Sequence, residues 1–145
     1  MFERILLSVD SSEDSDKAVR VVADLANRYS AHVLVVHGRD LRVVPPPGTS
    51  VPMPPVGVDL ETEEEAQAIV DAAVQELQNA GVEARGQVLS ARGHIADHIL
   101  EAAQIADANL IVLGSRGMSR LHQLVIGSVA HKIVQLAPCP VLLVR

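Results

Sequence analysis

Aromatic side chains are almost absent from this chain of 145 residues, which holds one Phe, one Tyr and no Trp. Single-stranded nucleic acid is bound largely by stacking of its bases on aromatic rings, so that class of ligand is not expected. Basic residues are also few, because 12 Lys and Arg are outnumbered by 18 Asp and Glu, for a formal net charge of −6. Such a charge does not favour contact with a phosphate backbone. The composition therefore argues against nucleic acid as a partner.

Cysteine and long apolar runs are scarce as well. Cys139 is the single cysteine, so it cannot form an internal disulfide, and its place between Pro138 and Pro140 favours packing over nucleophilic catalysis. No run approaches the ~20 apolar residues of a membrane span. Met1 to Arg4 lead directly into an apolar run without the pattern of a secretory leader. We expect a cytoplasmic protein with no membrane insertion.

Short apolar runs alternate with helical patterns along the chain. Most of the runs lack polar alternation, which is typical of strands covered on both faces. The five runs are Ile5 to Val9, Val33 to Val36, Ala84 to Leu89, Leu110 to Leu113 and Val141 to Val144. With helical spacing between them, the pattern predicts an α/β fold: a single open, doubly wound, five-stranded parallel sheet, Rossmann-like, with helices on both faces. The length suits one domain, residues 1–145.

Local signals mark several boundaries of these elements. Ser11 with Asp14 fits a capping box at the start of the first helix, and Gly81 fits the position just after the second. Residues 43–58 hold six of the eight prolines. Such a segment is extended and pairs poorly, so it is a lid, a docking ribbon or a tolerated surface insertion. We favour the insertion, because long loops cost little closure entropy.

A glycine-rich stretch between the fourth strand and the last helix is the strongest functional signal. Gly114 and Gly117 are three apart, and after nine intervening residues Gly127-Ser128 begins the predicted helix. Glycine lets a backbone approach a ligand closely, and the first amides of a helix are unpaired and attract anions. The stretch matches neither a Walker loop nor a dinucleotide fingerprint. Spacing alone leaves a phosphate-binding turn and an ordinary turn both open.

Topology predicts that three segments meet at one edge of the sheet. In open α/β sheets, ligands bind beyond the carboxyl ends of the strands, where the strand order reverses. Here those ends carry Asp10, His37-Gly38 and Gly114. This convergence indicates a nucleotide site. An N-terminal helix cap is the alternative role for Asp10.

The glycine pattern resembles that of the universal stress protein family, in the nucleotide-binding branch with Gly-x-x-Gly, nine residues, then Gly-Ser/Thr. Gly114, Gly117, Gly127 and Ser128 match it in full. The likeness spans nearly the whole chain and includes residues 9–12, 36–37, 93–96, 99–103 and 137–144. Two positions depart from the family: Gly38 replaces a frequent aliphatic residue beside the adenine, and Ile95 replaces a frequent proline.

The resemblance implies a fold like that of the adenine nucleotide alpha hydrolases and an ATP-binding sensor in the stress response. It implies ATP with Mg or Mn, the metal near Asp10, and a homodimer through Val141 to Val144. The implied nucleotide-binding residues are Ser8, Val9, Asp10, His37, Gly38, Leu113, Gly114, Arg116, Gly117, Gly127, Ser128 and Val129. A slow metal-dependent ATPase or self-phosphorylating enzyme, a cyclic AMP binder and a nucleotide-free interaction module stay open as alternatives.

Other polar residues give weaker signals. Arg116 suits bidentate contact with phosphate oxygens, although a solvated loop arginine is the alternative, and Arg120 suits it less. His94 and His98 are four apart on a predicted helix, but no third metal ligand is nearby in sequence, so a surface pair is favoured. No Gly-x-Ser-x-Gly elbow supports hydrolysis by a serine.

Overall fold

A computed structural model describes residues 1–40, 61–91, 94–115 and 126–145. Strands and helices alternate in the order β1 (Arg4–Ser8), α1 (Glu13–Tyr29), β2 (His32–Asp40), α2 (Glu63–Asn79), β3 (Glu83–Ala91), α3 (Ile95–Ile105), β4 (Leu110–Gly114), α4 (Ser128–Leu136) and β5 (Val141–Val144). All strand pairs are parallel, and the sheet order is β3-β2-β1-β4-β5. The predicted doubly wound sheet is confirmed, and its order reverses between β1 and β4.

Side chains of the central strands divide the core into two layers. Ile5 and Leu7 of β1 pack with α1 and α2, whereas Leu6 packs with α3 and α4 on the other face. All three are at most 1% exposed. Because both faces of the sheet are covered, these strands read as continuous apolar runs in the sequence.

The start of α1 differs from the predicted capping box of Ser11 with Asp14. The N-cap is Ser12, whose side chain accepts a hydrogen bond from Ser15 N at 3.2 Å. Ser12 N itself donates to Asp10 Oδ1 at 2.9 Å. The Asp10 carboxylate therefore forms a turn first, and the helix begins one residue later than the box predicted.

Strands β2 and β3 are both longer than their apolar cores predict. They pair in register from His32 with Glu83 to Asp40 with Ala91. Gly81, just before β3, has φ +81°, as expected of a residue that ends a helix. The predicted proline-rich segment, 43–58, lies outside the described residues. None of the helices in the described part of the chain is both long and apolar enough to cross a membrane.

Candidate functional site

The carboxyl ends of three neighbouring strands lie side by side along one edge of the sheet, where the topology predicts the crevice. Ser8 at the end of β1 pairs with Val36 of β2 on one side and with Leu113 of β4 on the other. Val9 N then donates to Val36 O at 2.9 Å. The residues just beyond these pairs lie along the same edge of the sheet: Asp10 after β1, His37 and Gly38 in β2, and Gly114 in β4. The structure thus brings together the three segments that topology predicted to meet.

Asp10 forms the turn that joins β1 to α1. Its Oδ1 accepts from Ser12 N, and its own N–H donates to Ser15 Oγ at 3.0 Å. The residue is half-buried. Shaping the start of the helix, one of the two roles left open by the sequence, is therefore observed. This turn lies at the carboxyl end of β1, and the role is compatible with the predicted contact with a ribose hydroxyl or a metal.

Gly114 packs directly against the first turn of α1. A Cβ at this position would lie 3.1 Å from Asp14 Cβ and 3.2 Å from both Asp14 C and Ser15 N. Two of these three atoms belong to the backbone, so the helix itself would have to shift to accept a side chain. Packing of α1 is thus a sufficient reason for glycine at 114, independent of any ligand.

Ser115 connects α1, β5 and the start of α4 at the end of β4. Its Oγ donates to Asp14 Oδ2 at 3.2 Å, and the two residues are only 2% and 4% exposed. Its N–H donates to Val144 O at 2.8 Å, and its carbonyl accepts from Gly127 N at 3.1 Å. Sequence reasoning missed this buried pair, because residues 101 apart in the chain leave no local pattern.

The amino end of α4 lies next to Ser115. Gly127 is the N-cap of this helix, with φ −57° and ψ 151°, a conformation that any residue adopts. Side chains cap α1 and α2 through Ser12 and Thr62, but among the described residues no side chain caps α3 or α4, and of these two helices only α4 begins at a glycine. The amides of its first turn are therefore suited to an anion.

His37 is buried on the α2 side of the sheet, with both ring nitrogens hydrogen-bonded. Nδ1 lies 2.8 Å from Val9 O and Nε2 lies 2.8 Å from Glu61 Oε2. A carbonyl only accepts, so Nδ1 carries a proton and donates it. The side chain of His37 therefore links the ends of β1 and β2 to Glu61, which precedes the Thr62 cap of α2.

Arg39 reinforces the same connection two residues further along β2. It is 7% exposed, and its NH2 donates to Glu61 O at 3.0 Å. Sequence reasoning missed Glu61 as a partner of this site. The alternation of side chains along a strand was a usable signal, because it places 37 and 39 on one face and Gly38 on the other.

The remaining predicted residues have varied positions. Ser128 is exposed and Val129 half-buried at the start of α4. Arg116 and Gly117, with Arg120, lie outside the described residues. His94 is exposed and His98 half-buried, and the described ranges contain no group of three or more His, Cys, Asp or Glu side chains placed to hold a metal ion.

Two further groups near α4 have structural roles. Lys132 donates to Asp97 Oδ2 at 2.8 Å, which connects α4 to α3, and this hydrogen bond lowers the pKa of the Asp97 carboxyl. Cys139 is half-buried against the core of α3 and α4. Burial raises the pKa of its thiol, which disfavours the nucleophilic thiolate.

The whole chain, including the parallel sheet and the glycine pattern, is similar to known proteins. The model of the universal stress protein family matches residues 1–145. The chain belongs to the universal stress protein family. Among relatives of this universal stress protein, YxiE of Bacillus subtilis is 35% identical over 150 residues, with 100% of both chains covered. A universal stress protein of Thermus aquaticus is 34% identical over 149 residues, again with 100% of both chains covered.

Solved structures of universal stress proteins share the fold. One from Archaeoglobus fulgidus is 26% identical, with a TM-score of 0.72 over 100% of this chain and 95% of that one. A second from Archaeoglobus fulgidus, in complex with dAMP, is 23% identical, with a TM-score of 0.69 over 100% of this chain and 98% of that one. A universal stress protein in complex with cAMP is 21% identical, with a TM-score of 0.72 over 99% of this chain and 97% of that one.

Proposed function

We propose that this universal stress protein binds ATP in the crevice and acts as a regulatory module whose surface or assembly changes with occupancy. The observation that carries the proposal is the amino end of α4, which begins at a glycine hydrogen-bonded to Ser115, the residue just after β4. The proposed contacts are the residues named from the sequence: Ser8, Val9, Asp10, His37, Gly38, Leu113, Gly114, Arg116, Gly117, Gly127, Ser128 and Val129. Of His37, the backbone is the part proposed to face the ligand.

The phosphate end of the site is proposed to lie at Gly127. The backbone of Gly127 has an ordinary negative φ, so conformational strain does not explain a glycine there. Close approach of a ligand does explain it, because a Cβ would stand beside the first amides of the helix. The helix macrodipole adds to the attraction for an anionic tail.

The adenine nucleotide class is supported by relatives with the same fold. Two of them were solved with dAMP and with cAMP. ATP is our proposal for this chain because a triphosphate uses more backbone amides than the single charge of cyclic AMP. Cyclic AMP is the second candidate, and a divalent metal beside Asp10 would accompany ATP alone.

Regulation fits the site better than fast catalysis. Fast catalysis needs a carboxylate positioned as a general base. Among the described residues at this edge of the sheet, Asp10 is the one candidate that we identify, and its carboxylate already accepts a hydrogen bond from Ser12 N. The enzyme alternative is tested with D10N, since Asn can still accept from Ser12 N. Steady metal-dependent turnover of ATP by the wild type that vanishes in D10N would establish the enzyme instead.

A homodimer through β5 is part of the same proposal. This strand is at one edge of the sheet, and Val141, Leu142, Leu143 and Val144 are all half-buried. Leu136, at the end of α4, is 56% exposed. An apolar edge strand is suited to pairing with a second copy, and Ser115, which donates to Val144 O, would connect that edge to the crevice.

The phosphate cradle is tested by G127V. The added side chain should obstruct the approach of phosphate and remove at least one charge-assisted hydrogen bond, so the affinity for ATP should fall by about 10- to 100-fold. Isothermal titration calorimetry with ATP, ADP and cyclic AMP measures the change. A smaller loss for cyclic AMP than for ATP would favour phosphate contact at this position.

The matched control is A72V, which adds a similar side chain at an exposed position of α2. It should leave the affinity for all three nucleotides unchanged. Circular dichroism should report the same folded state for both variants. Equal affinity of wild type and G127V for ATP would remove the cradle from the proposal, and no binding of any nucleotide by the wild type would overturn it.

A further inference from the structure

A backbone hydrogen bond joins Ser115, just after β4, to Gly127, the N-cap of α4. Gly127 N donates to Ser115 O at 3.1 Å, and His131 N donates to Gly127 O at 2.8 Å as the helix begins. The N–H of Gly127 is therefore used within the protein. The amides left to meet an anion are the next ones along the helix, those of Ser128 and Val129. The direction of these amides depends on where Ser115 holds Gly127.

Ser115 is itself fixed by two further hydrogen bonds. Its N–H donates to Val144 O of β5 at 2.8 Å, and its hydroxyl donates to Asp14 Oδ2 of α1 at 3.2 Å. The side chain of Asp14 is 5% exposed, and its Oδ1 lies 3.7 Å from Lys17 Nζ. Because the carboxylate is buried, loss of the donor on Ser115 costs more than it would at the surface.

Glycine at 114 permits the contact between Asp14 and Ser115. Without a Cβ at this position, α1 approaches β4 so closely that an added Cβ would lie 3.1 Å from Asp14 Cβ. The same close approach brings the Asp14 carboxylate to the residue that follows Gly114. The start of α1 is thereby connected through Ser115 to the start of α4.

We propose that Ser115, anchored by the Asp14 carboxylate, is the positioning residue of the phosphate cradle at the start of α4. The inference rests on the proposed function and extends it to two residues outside the proposed contacts. Ser115 acts through Gly127 rather than on the ligand. A cradle whose amides are held in place before the nucleotide arrives avoids the cost of ordering them on binding, and this raises the affinity.

The first test is S115A, which removes the hydroxyl and keeps both backbone hydrogen bonds. The affinity for ATP should fall by about 10-fold, within the range of couplings inside one hydrogen-bond network. Calorimetry on the full chain measures it. S90A is the matched control, because Ser90 is exposed in β3, and it should bind ATP as the wild type does. S115C, whose thiol is a weak donor of similar size, replaces S115A if that variant does not fold.

The second test separates the hydrogen bond from the charge of Asp14. D14A and D14N both remove the charge, but the side-chain oxygen of Asn still accepts from the Ser115 hydroxyl. D14A should lose affinity for ATP as S115A does, whereas D14N should recover most of it. D24A is the control on the same helix, since Asp24 is exposed, and its affinity should equal that of the wild type.

The third test shows whether Ser115 acts through Gly127. In G127V the approach to the cradle is already obstructed, so adding S115A should cost little further affinity for ATP. A role of Ser115 in the fold alone predicts instead that the two losses add. Calorimetry of the two single variants and the double variant completes this cycle.

Each of the contrary results has a distinct meaning. A wild type that binds ATP and S115A and D14A variants that bind it equally well would reject the role of Ser115 and leave the proposed function standing. A D14N variant as weak as D14A, or losses of S115A and G127V that add fully, would also overturn the inference. No binding of ATP by the wild type would reject both the proposed function and this inference.

Discussion

Gly114 and Gly127 belong to one glycine pattern, yet their surroundings differ. Gly114 faces Asp14 and Ser15 at distances too short for a comfortable Cβ contact, so the packing of α1 requires it. Gly127 has an ordinary backbone conformation at the open end of α4. Adding a methyl group at the two positions should therefore change the stability of the protein by different amounts.

G114A should lower the free energy of unfolding by about 1–3 kcal/mol, because the new methyl overpacks the backbone of α1. G127A is the comparison variant and should lower it by less, since alanine adopts the same φ without strain and the cost is limited to a poorer N-cap. Urea denaturation followed by circular dichroism measures both. Equal destabilisation by the two variants would show that packing at 114 is not the cause.

At the scale of single residues, the sequence predicted where residues lie in the fold better than it predicted their hydrogen-bond partners. The glycines, Asp10 and Gly38 were predicted from strand ends and spacing, and the structure brings the described ones to one edge. The Ser115–Asp14 hydrogen bond was out of reach, because it depends on how α1 lies over β4. The N-cap was misplaced by one residue because the turn formed by Asp10 competes with the capping box.

The connection of α2 to the sheet belongs to the scale of elements. His37 and Arg39 of β2 both bond to Glu61, directly before the Thr62 cap of α2. Thr62 and Glu65 form a capping box: Glu65 N donates to Thr62 Oγ1 at 3.1 Å, and Thr62 N donates to Glu65 Oε2 at 2.8 Å. The position of the helix is thus determined by polar contacts at its start as well as by its apolar face.

E61A should lower the free energy of unfolding by about 1–3 kcal/mol, because Nε2 of the buried His37 loses its partner. E63A is the control, since Glu63 is exposed in the first turn of the same helix. Denaturant unfolding at one pH compares them. A loss no larger in E61A than in E63A would contradict the role assigned to His37.

Apolar runs predicted the existence of all five strands but not the full length of β2 and β3. The ends of these strands that the apolar runs did not predict contain polar residues such as His37 and Arg39. The cost of burying these side chains is offset by their hydrogen bonds to Val9 O and Glu61. Hydropathy cannot detect such compensation, because the partners come from other elements. Element order, in contrast, followed directly from the alternation of patterns.

At the scale of the whole molecule, the proposed homodimer covers the β5 edge of the sheet. The double variant V141K/L143K places two positive charges on this edge strand. It should give a monomer in sedimentation velocity if the proposed dimer forms through β5. L136K is a second variant that does not disturb the sheet, and it should weaken the dimer if Leu136 lies in the interface. I105K, on exposed α3 surface, should leave the dimer intact. A folded V141K/L143K protein that stays dimeric would exclude this edge.

The central claim is that backbone amides at the start of α4 hold the phosphates of a nucleotide. The most direct measurement is a titration of isotope-labelled protein with ATP and with adenosine, following the amide signals of Gly127, Ser128 and Val129 by nuclear magnetic resonance. We predict large shifts of these amides with ATP and small ones with adenosine. Saturable binding of ATP that leaves all three amides unmoved would contradict the account.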